Sequence, residues 1–424
     1  MYLSNSTEYK HPINIALKQN EQEIYGTIAI VIPAVAREGI TKLVLSQIKS
    51  FQDERYRIVM IVLANVAKDV FEEAGVQLSA DELLVLKQQD AYLSVRSLFN
   101  SSLLLTPITK FLRYHNAKLV IAHAPYAHFV MRLVKLRLQF DSFNIKLVQY
   151  FHITQYVQFP LNSAKRRAVN QLNRVLGKYF DDSHVSVTEA VKSDIESNLF
   201  KHKRHLVIVN ALPREAIVQN GYSIEEVQRV EAWLRTRSGS FKILIPGRLS
   251  YMKGQLFFLQ VLSIFIKNNL FEPQDLAVLI VGDGPDKEVI KELINKKGIK
   301  GYCYFSPAVQ NAALMKVMTL VDLVAVPSHY EGFGLVVLEA LQNKRLVLSS
   351  DAGGLKEIIE HGRNGFMFRA GVVNDCLEKL QFIYDNRDTG LVDLDEVAQQ
   401  VEYKFSFEQH MAQLIQVINS CEVG

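Results

Sequence analysis

Two glutamates eight positions apart, Glu331 and Glu339, stand in the segment PSHYEGFGLVVLEALQ at 327 to 342, with the sequence GFG between them. The glycines allow a sharp turn, and the apolar run after them reads as a helix from about Leu335. Glu331 is then expected in the loop and Glu339 inside the helix, facing the same crevice. At the start of such a helix the amides of Gly332, Phe333, Gly334, Leu335 and Val336 lack intrahelical partners, so they can donate to a phosphate or a sugar hydroxyl. A carboxylate sits poorly beside an anion. The glutamates therefore suit neutral hydroxyl groups, such as those of a ribose or a hexose.

A second segment, GRLSYMKG at 247 to 254, supplies the opposite charge. Arg248 and Lys253 bracket a turn that leads into the apolar run QLFFLQVLSIFI. Two cations at a helix start suit a diphosphate, although read alone such a pair is more often just a solvated surface pair. The turn VGDGPD at 281 to 286 resembles half of a dinucleotide fingerprint but lacks its third glycine, which leaves a structural turn as the simpler reading. His123 and His152 each end an apolar run, in VIAHAP and VQYFHIT, and can project from a strand edge or be satisfied in the core.

Groups scattered this widely need a scaffold that gathers them. Short β-branched runs alternate with amphipathic stretches at 27 to 33, 56 to 64, 117 to 123, 146 to 152, 183 to 188 and 205 to 210. A Gly39 loop follows the first. After a helical stretch, SIEEVQRVEAWLRTR, the pattern restarts with runs at 241 to 247, 276 to 282, 302 to 307, 323 to 328, 344 to 350 and 365 to 368. Strands separated by helices need crossover connections, which predicts two successive parallel sheets covered by helices. In such sheets ligands lie beyond the carboxyl ends of the strands, where every segment named above falls.

The bulk composition allows this. With 424 residues, 49% apolar and 22% charged, the chain is too long for one small module and too apolar for wholesale disorder. Its 3 Cys are odd in number and far apart, which argues against a disulfide framework or a zinc site and for a reducing compartment. The polar start has no signal-peptide order, and the apolar run at 58 to 67 is far shorter than the ~18 residues a membrane span needs. A cytoplasmic protein is expected. The formal charge of +4 is uneven: residues 101 to 210 hold 16 Lys+Arg against 6 Asp+Glu, an excess of +10, leaving −6 elsewhere. Such polarity suits an anionic partner, or else a set of solvated helix faces.

Taken in order, the segments resemble the retaining glycosyltransferases of family 4, the glycosyl transferases group 1. GRLSYMKG is similar to that family's GR(L/F)xxxKG, VGDGP to its GxGP turn, EGFGLVVLEAL to its Glu-x7-Glu motif, and DAGGLKEIIEHGRNGFMF to its GGxxE run. The resemblance covers 241 to 400 well and the first half thinly. Ala211 and Ser306-Pro307 stand where glycines are usual. The resemblance implies the α/β GT-B fold, two Rossmann-like domains facing each other across a cleft. The expected division is an acceptor-side domain over 1 to 211, a nucleotide-sugar domain over 212 to 404, and a terminal helix over 405 to 424 that packs back toward the first.

The resemblance also implies roles. Arg248 and Lys253 bind the donor diphosphate, Glu339 the ribose hydroxyls, Glu331 the hydroxyls of the transferred sugar, and His123 reaches that sugar from the opposite domain. Gly39 lies in the loop that approaches donor and acceptor, and the amides of Gly332 to Val336 complete the pocket. The implied activity is metal-independent hexose transfer from a nucleotide diphosphate sugar, a UDP-sugar before a GDP-sugar, with no separate cofactor. The acceptor is a glycan or a lipid-linked molecule of a surface-polysaccharide, lipopolysaccharide or glycolipid pathway, with peripheral contact at an anionic membrane and no nucleic-acid partner. Two other readings stay open. A nucleotide-sugar epimerase or hydrolase on the same scaffold would consume donor without acceptor. A nucleic-acid binder using residues 101 to 210 would show salt-sensitive binding without turnover.

Overall fold

The structure is a computed structural model that describes residues 26–36, 39–67, 69–87, 95–212 and 221–422. The polar start, Arg37, Glu38 and residues 213–220 lie outside the described residues.

Thirteen strands are formed among the described residues. The first sheet holds β1 (Thr27–Ile32), β2 (Arg57–Val62), β3 (Leu83–Val85), β4 (Leu119–His123), β5 (Lys146–Phe151), β6 (Ser183–Ser186) and β7 (His205–Val207), in the order β3-β2-β1-β4-β5-β6-β7. The second holds β8 (Phe241–Pro246), β9 (Leu276–Val281), β10 (Cys303–Ser306), β11 (Leu323–Val326), β12 (Leu346–Ser350) and β13 (Phe366–Phe368), in the order β10-β9-β8-β11-β12-β13. Their pairings are parallel, with registers such as Val31↔Ala122 and Val324↔Leu244. Helices cover both faces, so the strand interiors are buried on both sides and read as unbroken apolar runs. Ile28 to Ile32, for example, are at most 1% exposed.

Every strand expected from the sequence is present, and β3 is additional. It is a three-residue edge strand whose residues are all half-buried, too short to show a period. One placement needs correction. Gly39, expected in a loop, is the first residue of the helix Gly39–Asp53. A side chain there would meet Leu335 Cδ1 at 3.3 Å, so the bare helix end is what lets the first domain reach the second.

Both sheets reverse their strand order, the first between β1 and β4 and the second between β8 and β11. Crossover helices leave in opposite directions at such points and open a crevice at the strands' carboxyl ends. The two crevices face each other. Phe333 and Val337 of the second domain share one buried apolar cluster with Val35 and Leu45 of the first and with Met411 and Leu414 of the last helix, Phe407–Glu422. That helix is tied to the first domain by His410, which donates from Nδ1 to Val209 O (2.8 Å) and accepts at Nε2 from Gln47 (2.8 Å). Arg204 donates to Ser420 O near its end (3.1 Å). Among the described residues no helix is long and apolar enough to cross a membrane.

Candidate active site

The residues singled out from the sequence collect at the two reversal points. Gly39 and His123 follow or end the switch strands of the first sheet, while Arg248, Lys253 and Glu331 follow those of the second.

The second-sheet half is built from the loops after β8 and β11. After Gly247 the chain makes a short 3-10 turn, Tyr251–Lys253, closed by Gly254 at φ +69°. A Cβ on Gly254 would lie 1.9 Å from Pro327 O, so only glycine lets this turn nest under the loop after β11. Nesting brings Lys253 Nζ to 2.7 Å from Glu331 Oε2. Ser328 Oγ donates to the same oxygen at 3.0 Å. Gln255, buried at the start of the following helix, donates to Arg248 O (3.0 Å) and so fixes the backbone that carries the exposed Arg248.

The helix Leu335–Gln342 begins where the sequence placed it, with Gly334 as a left-handed N-cap. Its first amides, including those of Leu335 and Val336, point out of the helix without intrahelical partners. Glu339 is buried and meets Lys42 of the first domain, with Nζ at 3.5 Å from Oε1. Lys42 also donates to Asn311 Oδ1. An interdomain ion pair therefore occupies the Glu339 carboxylate.

The first-sheet half is a buried aromatic stack. His123 ends β4, and Tyr150 and His152 project side by side from the end of β5. The His123 and Tyr150 rings stack at 5.1 Å, and those of Tyr150 and His152 at 4.7 Å. His123 Nδ1 and His152 Nε2 are 2.8 Å apart, so one ring donates to the other. The outer nitrogens, His123 Nε2 and His152 Nδ1, are buried without a partner among the described residues. Burial, and secondarily the neighbouring imidazole of His152, holds His123 well below the ordinary histidine range. Burial followed by His410 lowers His152 to about 3. Both rings are neutral near pH 7 and can offer hydrogen bonds without charge. Next to His123, Ala124 has φ +74° and ψ 154°, a conformation that a side chain disfavours and that holds local strain beside the site.

The halves touch directly. A Cβ on Gly332 would lie 1.8 Å from His152 O, so the two domains meet backbone to backbone at this residue. Thr188 Oγ1 donates to Gly332 O (3.3 Å). The Glu357 carboxylate accepts from Glu189 N (3.1 Å) and Ala190 N (3.0 Å), capping a first-domain helix from the second domain. A cavity of about 30 Å³ lies near His152, Ile40 and Ala124, room for little more than a water. A larger cavity of about 390 Å³, between Asp351, His361 and Arg369, lies along the DAGGLKEIIEHGRNGFMF segment and is lined by none of the candidate site residues Arg248, Lys253, Glu331 and Glu339. The candidate site residues themselves gather at the contact between the two domains.

Lys42, Asn311, Gln255, Ser328 and Glu357 were missed by sequence reasoning. Ser328 and Glu357 lie within quoted motifs, PSHYEGFG and the glutamate of GGLKE, and were legible there. Lys42, Asn311 and Gln255 act across the cleft or through a local bond that no spacing announces.

Residues 230–401 match the family model described as Glycosyl transferases group 1. An uncharacterized glycosyltransferase of Methanocaldococcus jannaschii is 26% identical over 211 residues, which are 46% of this chain and 53% of that one. The chain spans about half, or less, of the length of the curated relatives it matches. Among solved structures, Anabaena HepE in complex with UDP and glucose aligns with a TM-score of 0.73 at 18% identity, covering 93% of this chain and 99% of that one. WaaG, a glycosyltransferase involved in lipopolysaccharide biosynthesis, aligns with a TM-score of 0.66 at 13% identity, covering 92% and 99%. At these identities the likeness is one of fold. The chain has the GT-B fold, and its residues 230–401 match the Glycosyl transferases group 1 family.

Proposed function

We propose that the chain is a retaining, metal-independent glycosyltransferase that moves a hexose from a nucleotide diphosphate sugar, a UDP-sugar before a GDP-sugar, to an acceptor hydroxyl. The observation that carries this reading is the pairing of Lys253 with Glu331, both within the family-matched region, next to Gly332, which packs on the backbone of His152 in the other domain. In this reading Arg248 and Lys253 neutralise the diphosphate as the bond from the anomeric carbon to its oxygen breaks. Fixed charge and aligned amides at Gly332 to Val336 act where negative charge develops, which is commonly the largest catalytic contribution. The new bond forms on the same face of the sugar. The acceptor's proton passes to the departing phosphate oxygen, so Glu331 is not a covalent nucleophile.

Glu331 has two tasks here. Its Oε2 holds Lys253 in place, and Oε1 is the oxygen assigned to a sugar hydroxyl. Glu339 receives the ribose once Lys42 moves away, and neutral His123 offers Nε2 to the transferred hexose. Gly39 lets the first domain approach donor and acceptor closely. In this reading the domains part to admit the donor and close over it.

The proposed division keeps acceptor recognition in 1–211 and donor binding in 212–404, with 405–424 bridging them. A glycan or lipid-linked acceptor of a lipopolysaccharide, capsule or glycolipid pathway, in the cytoplasm, fits the basic excess of the first domain. The fold likeness to WaaG supports the same setting. A thermal-shift screen of UDP, GDP, ADP and their sugars tests the donor half, since a specific ligand stabilises the native state by mass action. Stabilisation by none of them would sink the reading. Fast donor consumption without any acceptor would favour the epimerase or hydrolase instead.

A further inference from the structure

The helix Ala164–Phe180, AKRRAVNQLNRVLGKYF, has two unlike faces. Its inner face is fastened to the domain. Asn173, Leu176 and Gly177 are buried, Asn170 accepts from Tyr156 Oη at 2.6 Å, and Asn173 accepts from the fully buried Arg132. Its outer face carries Ala168, Leu172, Val175 and Tyr179, spaced by four, three and four residues, so they form one stripe along the helix. Leu172 and Val175 are each 44% exposed and Tyr179 is 78% exposed. Lys165 borders the stripe on one side, and Arg167, Arg174 and Lys178 border it on the other. The helix contains no aspartate or glutamate.

The neighbourhood continues the pattern. The helices Val95–Tyr114, Pro125–Phe140 and Ala164–Phe180 lie side by side on one face of the first sheet. Each returns to a parallel strand, so all three end at the same sheet edge. Tyr114 and Phe140 end the first two, at 77% and 83% exposure, and Tyr179 stands near the end of the third. Arg137 and Lys178 stand in the last turns of their helices, while Arg113 is neutralised by Asp141 at 2.7 Å. At the other end of the basic helix, Val157 and Phe159 are 55% and 41% exposed beside the loop that follows β5 toward the cleft.

We propose that the outer face of the helix Ala164–Phe180 is a docking surface for a membrane rich in anionic lipid. An apolar stripe one helix wide, bordered by cations and lacking carboxylates, is the pattern of a helix lying in the plane of a lipid interface. The long stems of Arg and Lys let the charge stay at headgroup level while the stripe enters the acyl boundary. Exposed aromatic rings at the helix ends suit the same depth. The docked face would run from the sheet's far edge to the rim of the cleft, which brings a lipid-linked hydroxyl within reach of the site. The inference extends the sugar-transfer reading without depending on it.

The test is flotation of the whole chain with vesicles of phosphatidylcholine alone, and with vesicles of equal parts phosphatidylcholine and phosphatidylglycerol. Neither donor nor acceptor is added. Partition into the anionic vesicles only, weakened by salt, is expected. Arg167→Gln with Arg174→Gln and Lys178→Gln should lower that partition about 100-fold, at about five-fold per cation. Leu172→Glu with Val175→Glu should lower it at least ten-fold, with an unchanged unfolding midpoint showing that the fold is intact. Equal binding to neutral vesicles, or unaltered partition of folded variants, would overturn the proposal. So would binding to a DNA duplex with no vesicle partition, which would make the surface a general polyanion site.

Discussion

Lys42 Nζ lies 3.5 Å from Glu339 Oε1, joining the first helix of one domain to the motif helix of the other. A nucleotide whose ribose uses Glu339 must displace this ammonium group. The lysine is part exposed, so the pair contributes on the order of 0.2 to 1 kcal/mol. Lys42→Met is therefore expected to tighten UDP binding about two- to five-fold, measured by titration calorimetry. Weaker binding would mean that Lys42 contacts the nucleotide itself.

The Lys253–Glu331 pair sits where the proposed diphosphate arrives. Lys253→Ala should lower kcat/KM by about 10²- to 10³-fold, the scale seen when one preorganised donor to developing charge is removed. Lys253→Arg should recover part of that loss because it keeps the charge. Steady-state rates with a confirmed donor decide it, and an unchanged rate for the alanine variant removes Lys253 from the site.

Metal independence has its own measurement. Activity should be the same in excess EDTA and in added magnesium. Loss in EDTA that magnesium restores would contradict a mechanism in which only side chains and amides neutralise the diphosphate.

Arg132 and Asp181 form a fully buried two-pronged pair, with Nε at 2.8 Å from Oδ1 and Nη2 at 2.6 Å from Oδ2. Burial alone would raise the carboxyl's pKa, but Arg132 and His184 together hold it well below the usual range. Removing one partner strands the other charge out of water. Arg132→Leu should destabilise the protein by about 3 to 5 kcal/mol in denaturant melts. A loss below about 1 kcal/mol would show that water reaches the site.

Acid should weaken the fold before it reaches that pair. His123, His152 and His410 have folded pKa values depressed chiefly by burial, to about 3 for His152 and about 4 for His410. Below the unfolded value near 6.5 the unfolded chain binds the extra protons. The stability contribution is complete above that pH and falls as pH drops toward the folded values, by about 1.4 kcal/mol per pH unit for each histidine. The depressed Asp181 adds its own loss only below about 3.8. Thermal midpoints should thus decline between pH 6.5 and 4.5, and a flat profile would show that these rings are hydrated.

Much of this arrangement was legible before any coordinates. Runs such as LAVLIVG must be buried on both faces, and they form strands. EGFGLVVLEAL places its turn and its helix by glycine geometry alone. Contacts between Lys42 and Glu339, or Glu357 and the helix at Glu189, join residues too far apart in the chain for any local period to reveal. His123 and His152 were visible as strand-end histidines, but their shared hydrogen bond depends on the register of β4 against β5, which a single sequence leaves open. The edge strand β3 escaped because three half-buried residues form no pattern.

At Gly332 the two domains rest on each other with nothing but backbone between them. A methyl group there would act as a doorstop. Gly332→Ala would leave each half correctly folded yet hold the halves ajar, so that nucleotide could enter freely and seldom be enclosed. The glycine of this motif is in that sense a bearing surface, and its missing side chain sets how closely the two domains can meet.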